Sequence, residues 1–154
     1  QLMLTERQEW LNEKSFHSLH YKAPGTDFVL GLAEGHEWKG GSSTSLNGIS
    51  CTPNIPTEEV FTTPHAHRAE GTVRATKPLV HMGTLIEGIE VRFEGGKIVE
   101  ASAEVGEEVF LELIATDEGA SRLGEVALVP HAGNDVVLWL DIQAQSSGTP
   151  RIYR

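Results

Sequence analysis

The sequence predicts an α+β fold built on a mixed, mainly antiparallel sheet with two or three short helices. Two segments, 72–76 and 89–93, alternate apolar and polar residues as strands do, and the glycines of Glu94-Gly95-Gly96 turn the chain into a third strand, 97–101. Between 107 and 117 the apolar spacing changes to that of a helix. Strands outnumber helices and no internal repeat is present, which is typical of an α+β domain.

The first elements are predicted to be a short helix and a turn that leads into a strand. Thr5-Glu6-Arg7-Gln8 fits a capping box, so we expect a helix from Thr5 to about Lys14. Pro24-Gly25 indicates the turn, and residues 28–32 indicate the strand. Residues 35–48 are rich in glycine and serine and are predicted to form a loop.

The hairpin formed by 89–93 and 97–101 has two possible registers. A two-residue turn at Gly95-Gly96 would place Val91 opposite Glu100, whereas a three-residue turn places Val91 opposite Val99. Because the second register keeps one face of the hairpin apolar, we predict the three-residue turn, which also pairs Ile89 with Ala101.

The last part of the chain is predicted to contain a helix and two strands. The helix carries an inward stripe formed by Phe110, Leu113 and Ile114, and it stops before Gly119. Residues 126–129 are expected to form a buried strand closed by Pro130. Residues 136–142 are too apolar to be left in water and should add another strand to the sheet, after which 143–148 turn the chain back.

The composition excludes several classes of protein. Twelve basic against 22 acidic residues give a net charge of −10, which repels phosphate backbones, so no nucleic-acid partner is expected. No apolar run reaches the length of a membrane span, so no membrane partner is expected either. The single cysteine, Cys51, cannot form an internal disulfide, and the first residues lack a secretory pattern. We therefore expect a soluble, cytoplasmic protein.

The proline-framed segment 53–64 carries the first candidate site residues. Alternation along an extended chain puts Glu59 with Phe61 on one face and Glu58 with Val60 on the other. An ionised carboxylate beside Phe61 is costly unless a cation or hydrogen bonds compensate its charge. The simpler interpretation is an edge strand with two solvated acids.

A second carboxylate and a histidine pair are the other candidates. Glu125 stands where a glycine-bearing turn leads into an apolar strand, and carboxylates combined with imidazoles suit zinc, cobalt or manganese in a hydrolase. His65-Ala66-His67 would present both rings on one face of a strand, but after Pro64 a loop with two exposed histidines is favoured. The isolated histidines are expected to be packed or surface residues: His20, His36, His81 and His131. No Gly-x-Ser-x-Gly, His-Glu-x-x-His or phosphate-binding glycine motif is present.

Four segments, 19–27, 31–36, 53–64 and 117–131, resemble in correct order the metalloaminopeptidases of the aminopeptidase T and aminopeptidase S group. The resemblance implies that two glutamates bind a two-metal centre of zinc or cobalt. These are the second glutamate of Thr-Glu-Glu-Val-Phe-Thr, Glu59, and the glutamate of Arg-x-Gly-Glu, Glu125. It also implies that Glu125 is the general base, that the substrates are peptides and that the protein is a homodimer.

The same resemblance implies that the site is incomplete. The family's Asp-Glu-Asn-Ala-x-x-His segment and its later His-x-Asp have no match after His131. We therefore expect residues 1–131 to be the N-terminal part of the catalytic domain of a larger, two-domain metallopeptidase and residues 132–154 to be a divergent tail. Such a piece should be inactive alone, and Glu59 and Glu125 should lie close together in space. The alternative is a non-catalytic binding or dimerisation module that retains the fold.

Overall fold

The computed structural model describes residues 2–40, 42–51, 58–130 and 136–142 of the 154-residue chain. These residues form the helices α1 (Leu2–Lys14) and α2 (Glu107–Ile114). Their strands are β1 (Ser18–Ala23), β2 (Thr26–Leu32), β3 (Lys39–Gly40), β4 (Ser43–Thr44), β5 (Ser50–Cys51), β6 (Val60–Thr62), β7 (Pro64–Arg74), β8 (Leu79–His81), β9 (Thr84–Ile86), β10 (Glu90–Glu94), β11 (Lys97–Ser102), β12 (Leu123–Pro130) and β13 (Val136–Ile142).

Most of these strands belong to two sheets, and the pairings between the described strands are antiparallel. One sheet has five strands in the order β1-β2-β7-β10-β11, and the other has four in the order β13-β12-β6-β3. Only Thr63 separates β6 from β7, so the chain crosses from the second sheet to the first at that residue. The predicted α+β class with a mainly antiparallel sheet is confirmed.

Helix α1 is fixed by apolar packing and by one polar side chain. Leu4 and Leu11 are seven residues apart, share a helix face and are both buried. Asn12 donates through Nδ2 to the carbonyl of Trp38 at 3.0 Å and accepts the Trp38 N–H at 2.7 Å. The helix is confirmed, but the capping box at Thr5 is wrong because the helix already begins at Leu2. Burial of Leu4 favours a helical turn on the N-terminal side of Thr5, and packing outweighs the local capping signal.

The turn at Pro24-Gly25 is confirmed and closes a two-residue hairpin between β1 and β2, with Ala23 opposite Thr26. Gly25 has φ 77°, a conformation that glycine adopts without a steric penalty. The glycine- and serine-rich segment 35–48 is largely loop, as predicted, but it also contributes the two-residue strands β3 and β4.

The predicted register of the β10–β11 hairpin is wrong. The turn consists of two residues, Gly95 and Gly96, both with positive φ, and Val91 lies opposite Ala101 instead of Val99. The register shifts between Arg92 and Phe93, so β11 contains one extra residue as a bulge. The bulge keeps apolar residues paired near the base of the hairpin, which is the result that the longer turn was expected to give.

The C-terminal elements agree with the prediction in type. Helix α2 buries Phe110, whereas the glutamates of its outer side, Glu107, Glu108 and Glu112, are exposed. The helix ends at Ile114, and β12 and β13 pair antiparallel, so the additional strand at 136–142 is confirmed. The predicted turn at 143–148 lies outside the described residues.

The core lies between the sheets and the helices. Its largest fully buried side chains come from both sheets, from helix α2 and from strand β9 and the segment before β3: Trp38, Phe28, Phe93, Phe110, Leu30, Leu32, Ile86, Val60 and Val126. The rings of Phe28 and Phe93 pack across the five-stranded sheet with centroids 5.2 Å apart. In the described part of the chain, no helix has the length and apolarity that crossing a bilayer requires.

Candidate functional site

Both glutamates singled out in the sequence belong to the four-stranded sheet. Glu125 lies in β12, and Glu59 immediately precedes β6. The two strands pair through Val60–Leu128, Phe61–Ala127 and Thr62–Val126. Because opposite residues share a face and neighbours alternate, Glu59 and Glu125 lie on the face that carries Phe61 and Ala127.

The neighbouring residue Glu58 has a different environment from Glu59. Glu58 is exposed and Glu59 is half-buried, and Val60 and Thr62 beyond them are buried. Burial alternates from Glu59 to Thr62, as predicted, but Glu58 does not follow it, because alternation would place Glu58 on the buried face of Val60 and Thr62.

The register sets the separation between the two glutamates. The three ladder pairs lie between them, so they are four positions apart along the strands and one strand apart across the sheet. With a rise of about 3.3 Å per residue and a strand spacing of about 4.8 Å, their Cα atoms are about 14 Å apart.

This separation restricts how the two side chains could hold metal ions. With a metal–oxygen distance of about 2.1 Å, a fully extended glutamate places an ion up to about 7 Å from its Cα, so one shared ion could span about 14 Å only if both side chains lay flat along the strands. Side chains on a strand stand roughly perpendicular to the sheet, which shortens that reach. Two ions about 3.5–4 Å apart lengthen it, so the register fits one glutamate per ion better than a single shared ion. That both residues bind one centre stays a prediction.

Close backbone contacts hold β6 in place beneath Glu59. A Cβ added to Gly40 on β3 would stand 2.7 Å from the carbonyl oxygen of Glu59, so glycine is needed for this approach. The Oγ1 of the buried Thr62 donates to the carbonyl of Glu37 at 2.8 Å. The segment between Glu37 and Gly40 thus fixes β6 from its outer edge.

The segment that precedes Glu125 is tied to the five-stranded sheet. Asp117 Oδ1 accepts the N–H groups of Gly119 and Ala120, each at 2.8 Å, and forms a tight turn. Arg122 Nη1 then donates to the carbonyl of Ala66 at 2.6 Å. These bonds fix the direction in which the chain enters β12.

The histidine pair lies on a strand, so the predicted loop at His65-Ala66-His67 is wrong. Strand β7 begins at Pro64, a position where proline is tolerated because it is the first residue of the strand. The two rings are neighbours, with centroids 6.0 Å apart and an interplanar angle of 64°. His65 is half-buried and His67 is exposed.

The other described histidines lie elsewhere and have separate roles. His36 bonds through Nδ1 to the carbonyl of Ala33 at 2.9 Å. His20 donates through Nε2 to Asp27 at 2.6 Å, and this bond lowers the pKa of the Asp27 carboxyl below its usual value. His81 is half-buried on β8, and His131 lies outside the described residues.

Within the ranges that the structure describes, no group of three or more histidine, cysteine, aspartate or glutamate side chains is arranged to hold a metal ion. Glu59 and Glu125 therefore fit a metal centre only as part of a larger ligand set.

Comparison with known proteins identifies the family of the chain. The profile of the family described as thermophilic metalloprotease (M29) matches residues 1–136. The chain belongs to this family. The resemblance that the sequence motifs indicated is thus confirmed.

Particular relatives are aminopeptidases. The chain is 61% identical over 127 residues to aminopeptidase T of Thermus thermophilus and 59% identical over 128 residues to aminopeptidase T of Thermus aquaticus. These matches cover 82% and 83% of the chain and 31% of each relative. Aminopeptidase 2 of Geobacillus stearothermophilus is 52% identical over 123 residues, covering 80% of the chain and 30% of that protein. The chain therefore spans about a third of the length of these relatives.

A solved structure gives the same result for the fold. Wild-type AmpT from Thermus thermophilus matches with a TM-score of 0.79 and 60% identity, over 82% of this chain and 32% of that one.

Three contacts that position the candidate residues were not found by sequence reasoning. They are the close approach of Gly40 to Glu59, the hydrogen bond from Arg122 to Ala66, and the hydrogen bonds between Asn12 and Trp38. Each contact joins residues that are distant along the chain. Arg122 belongs to the segment Arg122-Leu123-Gly124-Glu125, and this is the only sequence signal that pointed to any of the three.

Proposed function

We propose that the chain is part of a metal-dependent aminopeptidase, in which a two-metal centre hydrolyses the first peptide bond of a peptide. Family membership supports the metallopeptidase class, and the relatives are named aminopeptidases. The observation that carries the proposal is that Glu59 and Glu125 share a sheet face at a separation that suits one glutamate per ion.

The two glutamates would have different tasks. Glu59 is proposed as a ligand of one ion and Glu125 as a ligand of the other, with zinc or cobalt as the metal. When bound, such ions lower the pKa of a bridging water and polarise the substrate carbonyl. Glu125 is also the proposed general base, whose carboxylate accepts a proton during the reaction.

The proposal treats this chain as an incomplete part of the enzyme. Residues 1–131 are proposed as the N-terminal part of the catalytic domain and 132–154 as a divergent tail. Two carboxylates are fewer than the three or four protein ligands that a single zinc usually has, so weak metal binding and no turnover are expected from the chain alone. A cytoplasmic homodimer that acts on peptides is proposed for the whole enzyme.

Metal binding by the two glutamates is tested by calorimetric titration with zinc. The titration uses a variant in which His65 and His67 are alanine, so that their imidazoles do not contribute. Glu59→Gln and Glu125→Gln should each weaken the binding further. The matched control is Glu58→Gln, which removes an equal charge from the adjacent, exposed residue and should change little. If Glu58→Gln weakens binding as much as Glu59→Gln, the site is assigned wrongly.

Activity is tested with a chromogenic leucine substrate and added cobalt or zinc. No turnover is expected from the chain alone. Turnover that a chelator and Glu125→Gln both abolish would show that the ligand set is more complete than proposed. The same result would exclude the alternative of a non-catalytic binding or dimerisation module. Such a module should show no turnover, and it should dimerise or bind its partner equally well with and without a chelator.

A further inference from the structure

The imidazoles of His65 and His67 form a compact pair on β7. Their ring centroids are 6.0 Å apart, and the N–H of His67 donates to Nδ1 of His65 at 3.1 Å. The closeness of the two rings places them on the same side of the strand. Two imidazoles on one face offer the nitrogen ligands that divalent transition metals prefer.

The backbone under this pair departs from the regular ladder. Strand β2 pairs Leu30 with Ala69 and Leu32 with Pro64, so residues 65–68 of β7 lie opposite the single residue Gly31. Such bulges redirect side chains and occur often beside binding sites.

The bulged segment is held at two points. The Nη2 of Arg68 donates to the carbonyl of Leu32 at 2.5 Å, and Nη1 of Arg122 donates to the carbonyl of Ala66 at 2.6 Å. Through the side chain of Arg68 and the carbonyl of Ala66, these bonds anchor both neighbours of His67, which limits the movement of the pair and reduces the ordering that binding an ion would require.

We propose that His65 and His67 bind one divalent transition-metal ion as a bidentate site separate from Glu59 and Glu125. With metal–nitrogen distances of about 2.0–2.1 Å, two imidazoles on one ion have centroids about 6.4 Å apart on opposite sides of the ion and about 5 Å apart in a tetrahedral arrangement, so the rings, now 6.0 Å apart, need to approach by no more than about 1 Å. Among the described residues no third metal-binding side chain completes the group, so water fills the other positions. Affinity should follow the general order in which copper(II) binds more tightly than nickel(II) or zinc(II).

Binding has one local cost. Coordination through Nε2 of His65 requires the neutral tautomer with its proton on Nδ1, which breaks the bond with the N–H of His67. The site is therefore expected to be weaker than a structural zinc site with four protein ligands. This inference does not depend on the proposed peptidase activity, because it uses neither glutamate.

The experiment is calorimetric titration of the untagged chain with copper(II), followed by zinc(II). His65→Ala and His67→Ala should each weaken copper binding about tenfold or more, because the second imidazole acts at an effective concentration in the millimolar range. His81→Ala is the matched control, since it removes a half-buried histidine from another strand and should leave the affinity within about twofold.

Two results would overturn the proposal. One is a wild-type copper isotherm in the double variant His65→Ala/His67→Ala. The other is a loss of copper binding in Glu125→Gln as large as in the histidine variants, which would mean that the ion sits at the glutamates. If the histidine variants do not fold, substoichiometric copper(II) added to the wild type decides the question. It should broaden the ring NMR signals of His65 and His67 before those of His81, and broadening of His81 first would reject the site.

Discussion

Replacing Gly96 by alanine separates the effect of backbone conformation from that of a steric contact, because Gly95 in the same turn provides a matched control. Both glycines have positive φ, 55° at Gly95 and 76° at Gly96, and an alanine in this conformation costs about 1–2 kcal/mol. A Cβ on Gly95 meets nothing within 4 Å, whereas a Cβ on Gly96 would stand 2.1 Å from the carbonyl oxygen of Ala66. The contact is with backbone, so no side-chain rotation relieves it, and overpacking adds about 1–3 kcal/mol.

We therefore expect Gly95→Ala to lower the free energy of unfolding by about 1–2 kcal/mol and Gly96→Ala to lower it by about 2–5 kcal/mol. Urea unfolding followed by the fluorescence of the three tryptophans measures both values. The comparison is valid if the denaturant dependence has the same slope in both variants. Equal losses would refute the reasoning, since they would mean that β7 moves away from the turn at no cost.

Three further changes test polar groups. Tyr21→Phe should leave the free energy of unfolding unchanged or raise it by up to about 1 kcal/mol. The buried Tyr21 hydroxyl has no hydrogen-bond partner among the described residues, and burial raises its pKa. A clear loss of stability in urea unfolding would contradict this expectation. Asn12→Ala removes both hydrogen bonds to the backbone of Trp38 and should lower the free energy of unfolding by about 1–3 kcal/mol in the same assay. A loss below about 0.5 kcal/mol would mean that these two hydrogen bonds contribute little to stability. The pKa of Asp27 is lowered by the bond from His20, so its stabilising contribution is present above the unfolded value of about 3.9 and disappears as the pH falls through the folded value. The wild type should thus lose more stability than Asp27→Asn between pH 5 and pH 2, and parallel curves would reject this role.

Local sequence signals were sufficient for the elements whose shape depends on neighbouring residues. Pro24-Gly25 predicts its turn because proline fixes one φ and glycine permits the positive φ that follows. Helix α2 follows from the spacing of Phe110, Leu113 and Ile114, and β13 follows from the apolar run 136–142. In each case the information lies within one short segment.

The signals failed where distant parts of the chain decide the outcome. The β10–β11 register depends on a bulge at Val99 that no turn rule specifies, and the start of α1 depends on the burial of Leu4 in the tertiary core. The extension of β7 back to Pro64 depends on pairing with β2 and on the bond from Arg122 to Ala66. None of these contacts can be obtained from the periodicity of a single segment.

In the candidate site, too, some features follow from local sequence and others depend on contacts between distant residues. Residue spacing alone left Glu59 and Glu125 as ordinary boundary acids, and only the resemblance of long motifs selected them. The resemblance supplies their identity, but it does not supply their separation, which follows from the pairing of Val60, Phe61 and Thr62 with β12.

That separation has a consequence for the proposed metal centre. If each ion takes one glutamate, the pair must lie over the sheet face between Glu59 and Glu125, above Phe61 and Ala127. A zinc ion usually has at least three protein ligands, so two ions need several more than these two carboxylates, even when some ligands bridge both. No group of three or more metal-binding side chains occurs among the described residues, so the proposal needs further donors that would approach this face from outside the described part of the chain. The half-burial of Glu59 is compatible with such an approach, because part of this residue is open to solvent and a covering segment would remove that part from water. On this reasoning the ions would be the link between this sheet and whatever covers it, and their affinity for the sheet alone should be low.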